Sequence, residues 1–415
     1  MLTSFAFSFA NFFQPGVFWP ELADFKPMQV IAILALLASL KGVASHDRMD
    51  ALRHPALKYM FLFFLAQVLS VHATGVSGMI GEFGVWSVYA LFTLVSVRIV
   101  ANPDMLRRYI WGMMLGSLWI ICWGIYGVHA GLLAANGGRA GAYGMYENHN
   151  DYSFIIVQTL PFFFIYYRTE TGFLRRLLLL FACIVSVIGI VLSLSRGGML
   201  TLVLEIVLIV LFTMTRRTQI ILLPLVCLVG VGAVSYQYAA RAANQGEGYT
   251  AEDAESSRFE LWEAGQNMIL HNPLLGVGSR TFGEHAPIYG EISHDNRGKN
   301  AHNTFIDATA TSGLLGVGAF IAMLVGAIRE MGRKTDRIAS AWERNTRKAT
   351  MIAIITMIFR AQFDAKEWDW SFYILCTIAG ISGAMMKSRS PPAEISDEPK
   401  AEAAPVRPAT NKLTF

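Results

Sequence analysis

The sequence predicts an all-α, polytopic membrane helix bundle of about 11–12 transmembrane helices with one long outward loop that itself contains helices. Three observations carry this. Of 415 residues, 54% are apolar and only 15% charged, a balance too oily for a water-soluble domain of this size. The apolar residues fall in long runs near the length that crosses a bilayer. Lys and Arg lie in short clusters between those runs, on every second connection.

Taken in order, the runs predict spans near 28–45, 57–74, 79–98, 109–134, 151–167, 177–195, 198–215, 218–238, 303–328, 349–363 and 370–386. An aromatic-rich opening segment, 5–19, forms a twelfth crossing or lies at the interface. No charged n-region with a small-residue cleavage site precedes it, so no signal-peptide removal is expected. One set of alternate connections holds Lys41, Arg48, Arg53 and Lys58, then Arg98, Arg107 and Arg108, then Arg168, Arg175 and Arg176, then Arg216 and Arg217. Arg329, Arg333, Lys334, Arg337, Arg344, Arg347 and Lys348 fall on the same side, which the positive-inside rule makes cytoplasmic. The opposite side carries only Arg139, Arg196 and Lys366 in its short connections, and receives the one long polar stretch, about 239–302. The expected organisation is thus a membrane domain over 1–386 and a Pro-, Ala- and charge-rich tail over 387–415 that has little to bury and is expected to be disordered in the cytoplasm.

The formal charge of +4 is small and dispersed between apolar runs, so nucleic acid is not an expected partner. Cys122, Cys183, Cys227 and Cys376 all sit inside apolar runs and imply core packing rather than a disulfide framework or a cysteine metal site.

Chemistry-bearing residues gather at the outward connections. Arg196, in SLSRGGML, occupies a tight outward turn where a cation needs a reason; a phosphate ligand supplies one, and snorkelling to lipid headgroups is the alternative. Arg258 lies in ESSRFELWEAGQNMI, where Ser257 and Glu260 fit a capping box and Phe259, Trp262, Met268 and Ile269 form an apolar stripe. A helix starting there would put Arg258 in its first turn, against the dipole, which an anion at that N-terminus would relieve. His302, beside Asn303, opens a span at the aqueous boundary, and a neutral imidazole there can accept a proton. GMYENHNDYSF, 144–154, gathers Glu147, Asn148, His149, Asn150 and Asp151 at an outward helix start, with sugar binding, a cation site or plain capping all open. Glu205 is the one acidic residue plainly inside a span.

Four stretches, SLSRGG, SSRFELWEAGQNMILHNPLLGVGSRTF, AHNTFIDATATSGLLGVG and, more loosely, ENHNDYSF, together resemble the O-antigen ligase and polymerase superfamily over roughly 140–385. The resemblance implies transfer of a glycan from undecaprenyl pyrophosphate to an acceptor hydroxyl on the periplasmic face of the bacterial inner membrane, with no cofactor and no metal. It casts Arg196 and Arg258 as donor pyrophosphate binders and His302 as the residue that activates the acceptor; Asn303 and Asn148, beside these motifs, are further candidate substrate contacts. The expected acceptor is lipid A core, with another lipid-linked glycan (a polymerase) or a protein hydroxyl as alternatives. A lipid-linked glycan flippase using Glu205 for proton coupling is the reading from a different class.

Overall fold

The computed structural model describes residues 3–18, 21, 27–40, 50–71, 75–132, 138–244, 251–335 and 339–389. Most of the predicted tail, from residue 390 on, lies outside them, as do Lys41, Arg48 and Arg337 of the predicted inner connections. The described residues are helical, with no strand among them. In chain order the helices are α1 (Thr3–Phe13), α2 (Pro27–Leu40), α3 (Pro55–Leu69), α4 (Gly75–Ile99), α5 (Pro103–His129), α6 (His149–Thr169) and α7 (Phe173–Ser193). They continue with α8 (Arg196–Thr213), α9 (Arg216–Asn244), α10 (Ala251–His271), α11 (Phe282–Tyr289), α12 (Thr304–Gly332), α13 (Ala341–Arg360) and α14 (Trp370–Arg389).

Six of these are long and apolar enough to cross a membrane: Gly78–Ile99, Pro103–His129, Phe173–Ser193, Arg196–Thr213, Arg216–Tyr236 and Thr304–Gly332. The other predicted spans exist as helices but fall outside that set for visible reasons. α2 and α3 are only 14 and 15 residues long. α6 and α13 carry polar side chains that the bundle buries, among them Gln158, Thr159, Thr346, Arg347 and Thr350. A polytopic bundle can bury polar groups among its own helices, provided they find partners.

Lipid-facing and bundle-facing helices are easily told apart. Ile220, Ile221, Leu225, Leu228, Val229 and Val231 of α9 are all exposed, as a bilayer requires. α5, in contrast, closes on α1 through Gly112 and Gly116, where an added Cβ would lie 2.4 Å from the Phe5 carbonyl oxygen and 2.6 Å from Cβ of Phe12. Small residues four apart let two backbones meet in lipid, where apolar surface alone gives no drive to associate. Tyr152 fills the seam between α5, α6 and α7, its hydroxyl donating to the Ile121 carbonyl at 2.7 Å. Gly124 and Gly189 leave room for its ring.

The predicted long loop is an extension of α9 followed by α10, α11 and their connections. Leu261, Ala264, Met268, Val277, Phe282 and Ala286 form its own small core, closed from below by Ala301 and Ala310. Its attachment to the bundle explains the paired motifs NPLLGVG and TSGLLG. α12 is broken at Gly313 (φ 66°, ψ −171°), a conformation open essentially to glycine alone. The freed backbone groups pair with the loop: Leu314 N–H donates to Pro273 O at 2.8 Å, while Val277 and Gly278 N–H donate to Ala310 O and Thr311 O at 2.9 and 3.0 Å. Broken helices within membrane proteins are stable only where such partners exist.

Candidate anion-binding site at one end of the bundle

The N-termini of α6, α8 and α12 and the C-terminus of α13 meet at one end of the bundle, and α10 covers them. The turn before α8 is set by Leu194, left-handed at φ 49°, and by Ser195, whose Oγ caps Gly198 N–H at 3.2 Å and donates to Asn150 Oδ1 at 2.8 Å. Gly198 packs against Ser153 so closely that a Cβ would lie 2.8 Å from it. Arg196 is therefore the first residue of α8, and its backbone position is fixed by α6. Arg139, another arginine of this end of the bundle, donates to the carbonyls of Ser193 and Leu194 at 3.1 and 3.0 Å and so serves the end of α7.

Arg258 is not in a first turn. α10 begins at Ala251, and the expected capping box is used differently. Ser257 Oγ donates to Asn296 Oδ1 at 2.5 Å, and Glu260 Oε2 accepts from Ser293 N–H, Ser293 Oγ and Asn296 Nδ2 at 3.1, 2.8 and 2.9 Å. The hydrogen bond from Asn296, with those from Ser293, holds the Glu260 carboxyl below its ordinary pKa. Ser and Glu three apart thus clamp segment 293–299 to α10 instead of starting a helix. One turn beyond Arg258, the Trp262 indole donates to Ala301 O at 2.8 Å, which ties Arg258 to the residue preceding His302.

His302 has φ 50°, strained for a residue other than glycine, and both flanks hold it there. Ala301 N–H donates to Asp307 Oδ2 at 2.9 Å. Asn303 Oδ1 caps α12 through Phe305 and Ile306 N–H at 3.0 and 3.2 Å, while its Nδ2 donates to Gln362 Oε1 at 3.3 Å. Thr304 N–H donates to Ala361 O, and Thr304 Oγ1 donates to Asp364 O, both at 2.8 Å. Connection 361–366 therefore clasps the start of α12 and delivers Asp364, whose Oδ1 lies 3.6 Å from His302 Nδ1, too long for a hydrogen bond but a close electrostatic contact.

A cavity of about 130 Å³ opens among these elements, lined by His149, Asn150, Arg196, Gly197, Ser257, Arg258, Lys299, His302, Arg360 and Phe363. Arg196, Arg258 and His302 thus share one cavity. Asn303 and Asn148 are not in its lining: Asn303 is the α12 cap, and Asn148 caps α6 through Asn150 N–H at 2.8 Å. Sequence reasoning named His149 only as part of the polar cluster 147–151 and did not single out Arg360, Lys299 or Asp364. The signal for Arg360 and Asp364 was FRAQFDAKEWDW, 359–370, a charged run between two apolar ones.

Among the described residues, four cationic side chains and no carboxylate line the cavity. Three helix N-termini bring their partial positive charge to it as well. The acids stand behind this wall. Lys366 pairs with Asp151 and lies 3.8 Å from Asp364 Oδ2. Burial pushes the Asp364 carboxyl up, but Lys366, His302 and Arg360 outweigh it and hold that carboxyl well below the usual range, so it is ionised. Burial lowers Lys366, and Asp364 and Asp151 more than restore it, so it remains a cation. Burial, reinforced by Asp307, raises Glu367 far above an ordinary carboxyl and keeps it protonated.

At the other end of the bundle, a wider cavity of about 440 Å³ is lined by Asp104, Arg107, Arg108, Trp111 and Arg175. Glu170 already pairs with both Arg107 and Arg175, so that wall is largely neutralised from within. Glu205 on α8 is fully buried, hydrogen-bonds to nothing described through either oxygen, and does not line the outer cavity.

Residues 181–321 match the family described as O-antigen ligase. This stretch is similar to that family, as the motifs implied. It runs from within α7 into α12 and so contains Arg196, Arg258, Lys299 and His302, whereas His149 and Arg360 reach the cavity from outside it. No curated protein matches the chain.

Proposed function

We propose that this chain transfers a glycan from undecaprenyl pyrophosphate to an acceptor hydroxyl on the periplasmic side of the bacterial inner membrane, as an O-antigen ligase. The observation that carries this is the convergence of Arg196, Arg258 and His302 on one cavity whose described lining holds four cations. A lipid diphosphate diester brings about two negative charges, and guanidinium groups bind such oxygens in bidentate fashion.

The chemistry follows from the placement. Ionised Asp364 favours the His302 proton on Nδ1, leaving the Nε2 lone pair for the acceptor. The acceptor hydroxyl oxygen attacks the anomeric carbon while its proton passes to Nε2. The bond from that carbon to the phosphate oxygen breaks with inversion, and its electron pair leaves on the diphosphate, where Arg196 and Arg258 stabilise the growing charge. General-base help of this kind is worth about 10² to 10⁴ in rate.

The test uses purified full-length protein in nanodiscs with labelled undecaprenyl-linked glycan, offered lipid A core, a second lipid-linked unit or a protein acceptor. A single shift of lipid A core supports ligation, a ladder of lipid-linked products indicates a polymerase, and a labelled protein indicates protein glycosylation. His302→Ala abolishes transfer while donor still binds; full activity in that variant removes His302 from the mechanism. The transporter reading rests on Glu205 alone, and donor movement that fails in Glu205→Gln but survives Arg258→Ala would favour it.

A further inference from the structure

Arg360 is the final residue of α13 and one of the largest fully buried side chains of the protein, with 1% of its surface exposed. A guanidinium carries five N–H donors, and here few are used. Nη2 makes two long contacts, to Asn150 O and Ser153 Oγ, both at 3.4 Å, and lies 3.8 Å from Asp364 Oδ2. Neither Nε nor Nη1 has any hydrogen-bond partner among the described residues. Phe154 lies under the guanidinium at 5.7 Å and holds its plane.

A buried cation with idle donors is costly unless something satisfies them. The surroundings indicate what. Arg360 lines the same cavity as Arg196, Arg258 and Lys299. Gly197 allows the approach: a Cβ there would lie 3.2 Å from Arg360 Nη1 and 2.9 Å from Phe363 Cβ. The backbone directly after Arg196 is thus pressed onto Arg360. The one described carboxylate within 4 Å, Asp364, also faces Lys366 and His302, so it does not neutralise Arg360 alone.

We infer that Arg360 is a third donor-binding arginine, whose Nε and Nη1 take oxygens of the inner phosphate of a lipid-linked diphosphate at the floor of the cavity. This rests on the function proposed above. Arg196 and Arg258 hold the ligand at the α8 and α10 walls, and Arg360 reads its depth. A monophosphate fills only one of these positions, so the site discriminates a diphosphate from a monophosphate by charge and by reach.

The experiment measures binding of labelled undecaprenyl pyrophosphate and undecaprenyl monophosphate to the full chain in nanodiscs. Arg360→Lys keeps the charge beside Asp364 but lacks the two-pronged donor set. It is expected to weaken the diphosphate about 10- to 100-fold, as loss of charge-assisted hydrogen bonds does, and the monophosphate by less, with the melting temperature unchanged. Equal affinity of wild type and Arg360→Lys for the diphosphate overturns the inference. So does an equal loss for both lipids, which marks a general disturbance. If Arg360→Lys does not fold, Arg360→Gln combined with Asp364→Asn removes both charges together, and retention of wild-type diphosphate affinity in it is likewise contrary. Wild type that binds neither lipid overturns the proposed function as well, whereas transfer that persists in His302→Ala touches that mechanism and leaves this binding result standing.

Discussion

Gly313→Ala is expected to detach the outer loop from α12 without disturbing the spans. The wild-type conformation, φ 66° and ψ −171°, costs a side-chain-bearing residue about 1–3 kcal/mol. The new Cβ would also lie 2.2 Å from the Leu274 carbonyl oxygen, a collision that backbone cannot evade, so segment 273–275 has to move. That movement breaks the bonds from Leu314 N–H to Pro273 O at 2.8 Å and from Leu315 N–H to Leu274 O at 3.4 Å, at about 1 kcal/mol each. The sum, about 3–5 kcal/mol, shifts the docked population by about two to four powers of ten. Hydrogen exchange reads this directly, because the Val277 and Gly278 amides are protected only while paired with Ala310 and Thr311. Donor transfer should fall in parallel, since α10 carries Arg258 on the same loop. Gly318→Ala, on the same helix with open space around its Cβ, is the silent control. Equal protection of Val277 and Gly278 in wild type and Gly313→Ala would refute the reasoning.

Two further expectations follow from the packing and the buried charges. Gly112→Val forces α1 away from α5, because its Cβ alone would meet Phe5 O at 2.4 Å and Phe9 N at 3.0 Å; a melting temperature within experimental error of wild type would contradict that contact. Glu367 has a raised pKa from burial and from Asp307. The stability of its neutral form is fully present below the unfolded carboxyl value near about 4.3 and is lost as pH rises toward the folded value. Glu367→Gln should therefore gain on wild type in thermal unfolding between about pH 5 and 8, by up to about 1.4 kcal/mol per pH unit; pH profiles that run parallel would show that Glu367 is ionised in the fold.

Helices were legible because lipid and bundle both demand long apolar runs, and the placement of Arg196 and His302 at helix starts followed from where those runs end. Their convergence was not. It depends on Trp262 reaching Ala301 and on Thr304 reaching Ala361 and Asp364, contacts between segments far apart in the chain. Ser257 and Glu260 misled because the side chains that cap a helix are equally able to clamp a neighbouring loop. Arg360 was hidden by its position at the end of a predicted span, where a cation ordinarily snorkels; only its burial shows that it turns inward.

On the proposed function, the four cations of the cavity lining bear on turnover as well as on capture. In the proposed transfer, the lipid carrier left once the sugar has gone would end in a terminal phosphate and hold about one more negative charge than the molecule that arrived. A wall of fixed positive charge grips the spent carrier more firmly than the fresh one. Exit of the spent lipid, rather than bond exchange, would then govern the pace, and accumulated carrier would throttle the protein through its own product.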